Sequence, residues 1–282
     1  MIVVIGGTGR VGRQVVAQLA EQDLAVRVVS RGFTAPVPPA VDTVHADLAD
    51  PASLEPALRG AEAVFLLWPF TSPEMAADLA PKVAEIAARH VSRVVYLSAQ
   101  PAAEQPGSFW ALVERAIEGS GAGWTFLRPA GFASNTLMWA DQIRSGDVVR
   151  WPFAAAARAL IDERDIAAVA VRALTEDGHA GARYVLSGPE VLTQAEQLAA
   201  IGQAIGRNLS WEDMPRQAAQ EALAAAWGDK AFAESALDTW EWFIDHPETV
   251  TSAVQDITGS PARSFADWAS ANAAAFSRAP AL

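Results

Sequence analysis

The sequence contains no cysteine, which excludes disulfides, thiol nucleophiles, iron–sulfur clusters and thiolate zinc sites together. The four histidines, His45, His90, His179 and His246, stand far apart and form no HxxxH or HExxH pattern, so no metal is expected. A GxSxG nucleophile elbow is also missing: the nearest string, Gly119-Ser120-Gly121-Ala122-Gly123, has its serine in the wrong place, which argues against serine hydrolase chemistry. No run of Lys and Arg offsets the excess of 33 acidic over 21 basic residues, a net charge of −12. An acidic surface repels phosphate backbones and anionic membrane surfaces, so neither nucleic acid nor membrane is expected as a partner. No stretch approaches the ~18 apolar residues of a membrane span. Apolar residues begin at Ile2 and glycines at Gly6, leaving no basic segment and apolar signal core ahead of them, and the expected location is the cytoplasm.

What is present is a 282-residue chain, 51% hydrophobic and 19% charged, rich enough in apolar residues to bury a large core. Ile2–Ile5 is a short β-branched run ending in glycines, as in a central parallel strand. Val11, Val15, Val16 and Leu19 then recur at helical spacing. Strand-like runs follow at 25–29, 41–44, 63–67, 93–98 and 125–128, with helical stretches at 53–58, 73–90 and 108–120 between them. This alternation predicts an α/β fold, a Rossmann-type doubly wound parallel sheet. After about residue 130 the rhythm weakens. Helices are expected at 165–175, 193–205, 215–227, 232–243 and 264–276, and short strands at 183–186 and 209–211. The expected organisation is a dinucleotide-binding domain over 1–150 and a smaller substrate-side α/β lobe over 151–282, with the strand near 183–186 free to return to the main sheet.

Gly7-Thr8-Gly9-Arg10-Val11-Gly12 fits GxGxxG, and Gly6 extends it to GxxGxxG. Between a buried strand and a helix, these glycines let the chain turn tightly, admit a pyrophosphate to the backbone, and bring helix and strand close. NAD-preferring sites carry a carboxylate at the end of the second strand, about 20 positions on. Here that strand ends in Ser30-Arg31, and a guanidinium suits the 2′-phosphate of NADP(H). Arg10 can approach from the glycine turn. NADP(H) is therefore the expected cofactor ahead of NAD(H).

The strings Gly6-Gly7-Thr8-Gly9-Arg10-Val11-Gly12, His45-Ala46-Asp47-Leu48, Val94-Val95-Tyr96-Leu97-Ser98, and Trp124-Thr125-Phe126-Leu127-Arg128-Pro129 with Asn135 resemble the NmrA-like family of atypical short-chain dehydrogenase/reductases. The likeness extends to Asp165-Ile166-Ala167, Ser187-Gly188-Pro189 and Ser264-Phe265-Ala266-Asp267-Trp268. It implies an NADP(H) or NAD(H) site at the C-terminal edge of the sheet. It puts Asp47 and Leu48 near the adenine, Leu67, Trp68 and Pro69 along the cofactor, Ser98, Ala99 and Gln100 near the nicotinamide, and Pro129 and Asn135 at that end. Read on its residue type alone, Asp47 is equally a turn or capping carboxylate.

Most short-chain dehydrogenases use a Tyr-x-x-x-Lys pair to pass a proton to the carbonyl oxygen. The matching helix here reads Trp110-Ala111-Leu112-Val113-Glu114, and neither Tyr96 nor Tyr184 has a lysine four positions on. No catalytic residue can be named, and Glu114 reads as a solvated helical glutamate. Two functions remain. One is an NADPH-dependent reductase of a planar, electron-poor small molecule, a quinone first, an enone or iminium next, with Phe70, Trp110, Phe132 and Trp139 as acceptor walls or, alternatively, as core. The other is a dinucleotide-sensing regulator that binds a partner protein. The subunit count, monomer or homodimer, stays open.

Overall fold

A computed structural model describes residues 1–32, 38 and 41–278. The chain runs through β1 (Ile2–Ile5), α1 (Arg10–Ala20), β2 (Val26–Ser30), β3 (Asp42–His45), α2 (Leu54–Leu58), β4 (Ala63–Leu67), α3 (Pro73–His90), β5 (Arg93–Leu97), α4 (Phe109–Glu118) and β6 (Gly123–Pro129). It continues through α5 (Ala140–Ser145), β7 (Val148–Trp151), β8 (Ala157–Arg158), α6 (Glu163–Thr175), β9 (Ala182–Leu186), β10 (Leu192–Thr193), α7 (Gln194–Ala204) and β11 (Ser210–Asp213). Helices α8 (Arg216–Trp227), α9 (Lys230–Asp245), α10 (Ala253–Thr258), α11 (Phe265–Ala271) and α12 (Ala273–Phe276) complete it.

Two compact units interleave along the chain. The first comprises Met1–Pro129, Glu163–Leu186 and Ala253–Pro261; the second comprises Ala130–Asp162, Ser187–Ser252 and Ala262–Leu282. Residue 150, the sequence boundary, falls inside β7 of the second unit.

The first unit is a seven-stranded sheet in the order β3-β2-β1-β4-β5-β6-β9, every neighbouring pair parallel. This is the Rossmann-type α/β fold. All four residues of β1 are buried, as a strand covered by helices on both faces requires. The apolar stripe of α1 (Val11, Val15, Val16, Leu19) is buried, and α1 packs on α6, where Gln18 Nε2 donates to the Arg164 carbonyl at 3.0 Å. Helices α3 and α4 pack on one another and share a core with Val3, Ile5, Val64, Leu66, Val94 and Tyr96. Pro73 opens α3, where no backbone donor is needed, and the Ser72 hydroxyl accepts from Met75 N at 3.2 Å.

The second unit holds two small sheets, β7 with β11 in parallel and β8 with β10 antiparallel. Its core gathers Trp139, Ile143, Leu198, Ile201, Phe265, Trp268 and Phe276. A separate cluster, Ala219, Leu223, Ala233 and Leu237, joins α8 to α9. The helix expected over 264–276 is two, broken at Asn272, whose side chain turns back to the Trp268 carbonyl. Among the described residues no helix is long and apolar enough to cross a membrane, and no three His, Cys, Asp or Glu cluster as metal ligands would.

Candidate functional site

In a parallel sheet the C-terminal strand ends lie along one edge, and ligands enter where the strand order reverses. Here it reverses between β1 and β4. Gly6, Arg31 and Ser98 follow β1, β2 and β5, Leu67 and Pro129 end β4 and β6, and Asp47 lies two residues past β3. The fold thus brings to one edge of the first unit residues that the sequence had scattered from Gly6 to Pro129.

The glycine turn after β1 is sterically obligatory. Gly6 has φ +81°, a conformation L side chains rarely adopt. A Cβ on Gly12 would stand 2.2 Å from the Gly6 carbonyl oxygen, and one on Gly7 2.8 Å from Val28 Cγ1. Gly9 caps α1 with no side-chain acceptor of its own, and an anion suits this positive end of the helix dipole. A dinucleotide pyrophosphate fits this cradle. Val11 is buried and Arg10 exposed.

Arg31 is exposed and meets no acceptor among the described residues. Before it, the Ser30 hydroxyl donates to the Gly32 carbonyl at 2.7 Å and lies 3.5 Å from Thr8 Oγ1. This ties the end of β2 to the glycine turn. Asp47 serves its own turn: its Oδ1 accepts from Ala49 N at 2.9 Å, while Ser53 Oγ accepts from Asp47 N at 3.0 Å. Leu48 is buried beside it.

Leu67, the last residue of β4, is half-buried, and Pro69 beyond it is exposed. Trp68 is buried in the core against Phe70, ring centroids 5.3 Å apart. Trp110 is half-buried and lies against Phe109 at 4.0 Å. Ala99 and Gln100, at the start of a single turn after β5, are half-buried.

Ser98 belongs to a network that the sequence reading missed. Glu114 is 4% exposed rather than solvated, because it shares the buried face of α4 with Ala111 and Ile117. Its Oε1 accepts from Ser98 Oγ at 2.5 Å and from Arg128 Nε at 3.0 Å, and its Oε2 from Arg128 Nη2 at 2.5 Å. The i, i+3 spacing of 111, 114 and 117 carried the signal. The Ser98 proton is thereby committed to the carboxylate, leaving Ser98 Oγ as an acceptor toward any ligand. Tyr96, on β5, is fully buried with its hydroxyl unpartnered among the described residues. Burial, reinforced by the Glu114 charge, pushes its phenol far above the ordinary range. Tyr184 lies 2.8 Å from His179 Nδ1, and burial raises it too.

The remaining predicted residues, Phe132, Asn135 and Trp139, belong to the second unit. Phe132 is half-buried and precedes a single helical stretch, Ala133–Trp139, that exposes Asn135. Trp139 is 2% exposed, packs edge-on against Trp211 at 5.5 Å, and is core first. It nevertheless lines, with Asn135, a cavity of about 60 Å³ within this unit.

Comparison with known proteins agrees with this geometry. The NmrA-like family model matches residues 1–252. The chain is similar to the (4-alkanoyl-5-oxo-2,5-dihydrofuran-3-yl)methyl phosphate reductase of Streptomyces griseus, 40% identical with 98% of this chain and 99% of that one covered. It is 33% identical to the NAD(P)H azoreductase of Xenophilus azovorans, covering 99% and 100% of the two chains. The NADPH-dependent quinone oxidoreductase of Escherichia coli, solved with NADPH, superposes with a TM-score of 0.79 at 23% identity over 96% of this chain and 99% of that one. With a family match over most of its length and reductases among its relatives, the chain belongs to the NmrA-like family.

Proposed function

We propose that the chain is an NADPH-dependent reductase of planar, electron-poor small molecules, a quinone first and an enone or iminium next, working without a tyrosine–lysine relay. The observation that carries this reading is the glycine cradle at a helix N-terminus without a side-chain cap, together with an exposed Arg31 beyond the neighbouring strand that meets no acceptor among the described residues. The cradle's N–H groups would hold the pyrophosphate and Arg31 the 2′-phosphate. Leu67 to Pro69 would lie along the cofactor, and Ser98 Oγ would accept from its nicotinamide end. A bound NADPH supplies the two electrons and a hydrogen.

The side chains that stand where a proton relay would sit support the choice of acceptor. Trp110 has no proton to give an alkoxide, Glu114 is consumed by Ser98 and Arg128, and Tyr96 is sealed in the core. Acceptors whose electrons delocalise on reduction need little proton help at the carbonyl, so proximity and a dry apolar surface suffice. The substrates in the names of two relatives, an unsaturated oxo-dihydrofuran and an azo compound, are conjugated acceptors of this kind.

An acceptor panel tests the reading. Quinones should give the highest kcat/KM, enones and iminium ions less, and simple ketones and aldehydes near-background rates. A preference for simple ketones would overturn the relay-free reading.

A further inference from the structure

One buried carboxylate of the first unit has three hydrogen-bond donors aimed at it. Glu114 and Ser98 are each 4% exposed. Glu114 Oε2 accepts from Arg128 Nη2 at 2.5 Å, and Oε1 accepts from Arg128 Nε at 3.0 Å and from Ser98 Oγ at 2.5 Å. The guanidinium alone neutralises the carboxylate, so the Ser98 bond is not needed for charge balance. What it does is fix a hydroxyl rotor. A serine hydroxyl ordinarily turns to donate or accept as its neighbours require. Here its hydrogen is spent on Glu114, its backbone N–H is spent on the Leu127 carbonyl at 2.8 Å, and no described residue donates to Oγ. Position 98 therefore offers a fixed acceptor and no donor.

Ser98, Glu114, Arg128 and the glycine cradle all belong to the first unit, and its sheet orders them. A dinucleotide lies across the crevice where the strand order reverses, here between β1 and β4. With the pyrophosphate on the turn after β1 and the 2′-phosphate at Arg31 beyond β2, the adenosine half would take the side of β2. The nicotinamide half would then take the side of β4, β5 and β6. Ser98 follows β5 there, and Arg128 stands next to last in β6, one position beyond the paired Leu97 and Leu127.

Chemistry then selects the group that Ser98 meets. A quinone or enone oxygen, and the oxyanion formed on its reduction, are acceptors and would face only another acceptor. Ribose hydroxyls both donate and accept, so they do not require a partner of one kind. The carboxamide nitrogen of the nicotinamide only donates, and it is the complement of an oxygen that only accepts. We propose that Glu114 is a positioning residue, holding Ser98 Oγ as the acceptor of the nicotinamide carboxamide N–H. Holding the carboxamide also orients the ring that bears it, as a hydride donor requires. The inference rests on the NADPH reading of the cradle and Arg31, and deepens it.

The test titrates the protein with NADP⁺ and with its 3-acetylpyridine analogue, in which a methyl group replaces the amide nitrogen, and reads binding by tryptophan fluorescence. Wild type should bind NADP⁺ about tenfold more tightly, the scale of one buried acceptor left without its donor. Ser98→Ala should bring the ratio close to one. Glu114→Gln lets the new amide donate to Ser98 Oγ, which turns the hydroxyl hydrogen outward, so the ratio should fall in the same way. A merely structural Glu114 would weaken both ligands together; a ratio unchanged in Glu114→Gln therefore overturns the positioning role. Equal binding of the two ligands by wild type overturns the inference as a whole and leaves the reductase reading intact, since NADPH oxidation by a naphthoquinone is followed separately. Discrimination between the ligands with no quinone reduced supports the inference and removes the reductase reading. Should Glu114→Gln not fold, the wild-type ratio still decides whether Ser98 reads the carboxamide, and Glu114→Asp, which keeps the charge on a shorter side chain, takes its place.

Discussion

At the residue scale, single atoms decide what each position can do. A methyl on Gly12 has nowhere to go at 2.2 Å from a carbonyl oxygen, whereas one on Gly9 meets that oxygen at 3.2 Å. Gly12→Ala should therefore cost about 1–3 kcal/mol as an overpacking change and weaken NADPH binding. Gly9→Ala should be milder in both calorimetry and cofactor titration, and the reverse order would mean that the turn is not held as described. On the proposed reading, Arg31→Glu exchanges a ligand of the 2′-phosphate for a repelling carboxylate. Since hydrogen bonds to charged groups are worth about 1.5–3 kcal/mol, NADPH affinity should fall by roughly ten- to hundredfold while NADH affinity barely changes; equal losses would show that Arg31 does not select the cofactor. Tyr96 carries the alkaline pH dependence. Its folded-state pKa is raised, by burial first and Glu114 second. Its stabilising effect is thus whole below the unfolded value of about 10 and declines as pH rises beyond it, because only the unfolded chain then releases the proton. Tyr96→Phe also removes a buried hydroxyl without a partner. The variant should match or exceed wild type in stability at neutral pH and lose less above pH ~10, and a steeper alkaline loss in the variant would rule this out.

At the scale of elements, the buried carboxylate of α4 joins that helix to the ends of β5 and β6 through Ser98 and Arg128. Removing one partner of a buried ion pair leaves the other charge uncompensated, so Glu114→Leu should cost about 3–5 kcal/mol in denaturant unfolding. Ser98→Ala, which leaves the pair intact, should cost only about 1 kcal/mol; similar losses for the two would place the weight on Ser98 instead. The sequence revealed most where local pattern and tertiary role coincide. β1, β4 and α3 begin and end where their apolar runs and caps do, and α7 opens on a Thr193–Glu196 capping box. It failed where pairing is distant or the element short. β7 buries only Val149 of its four residues and acquires its strand conformation by pairing with β11, some 60 residues on. β8 and β10 have two residues each. Among the candidate site residues, the glycine turn was legible because backbone sterics reveal it directly. Glu114 was not, because its meaning lies in the distant partners, Ser98 and Arg128, that the fold brings to it.

At the scale of the molecule, an acidic chain of net charge −12 has to hold a polyanionic cofactor. The conflict is resolved locally: backbone N–H groups at the start of α1, with Arg10 and Arg31 both exposed beside the sheet edge, supply positive potential within a negative surface. Binding should accordingly weaken as ionic strength rises, because exposed charges contribute to it. The same cradle would serve a sensor that holds the dinucleotide without consuming it, so affinity alone does not establish the function. What does is consumption of the cofactor. Purified protein mixed with NADPH and a naphthoquinone, followed by nicotinamide absorbance, should oxidise NADPH at a rate proportional to protein concentration and well above the protein-free rate. Tight NADPH binding with a rate indistinguishable from the protein-free control, across quinones, enones and imines, would contradict the reductase account.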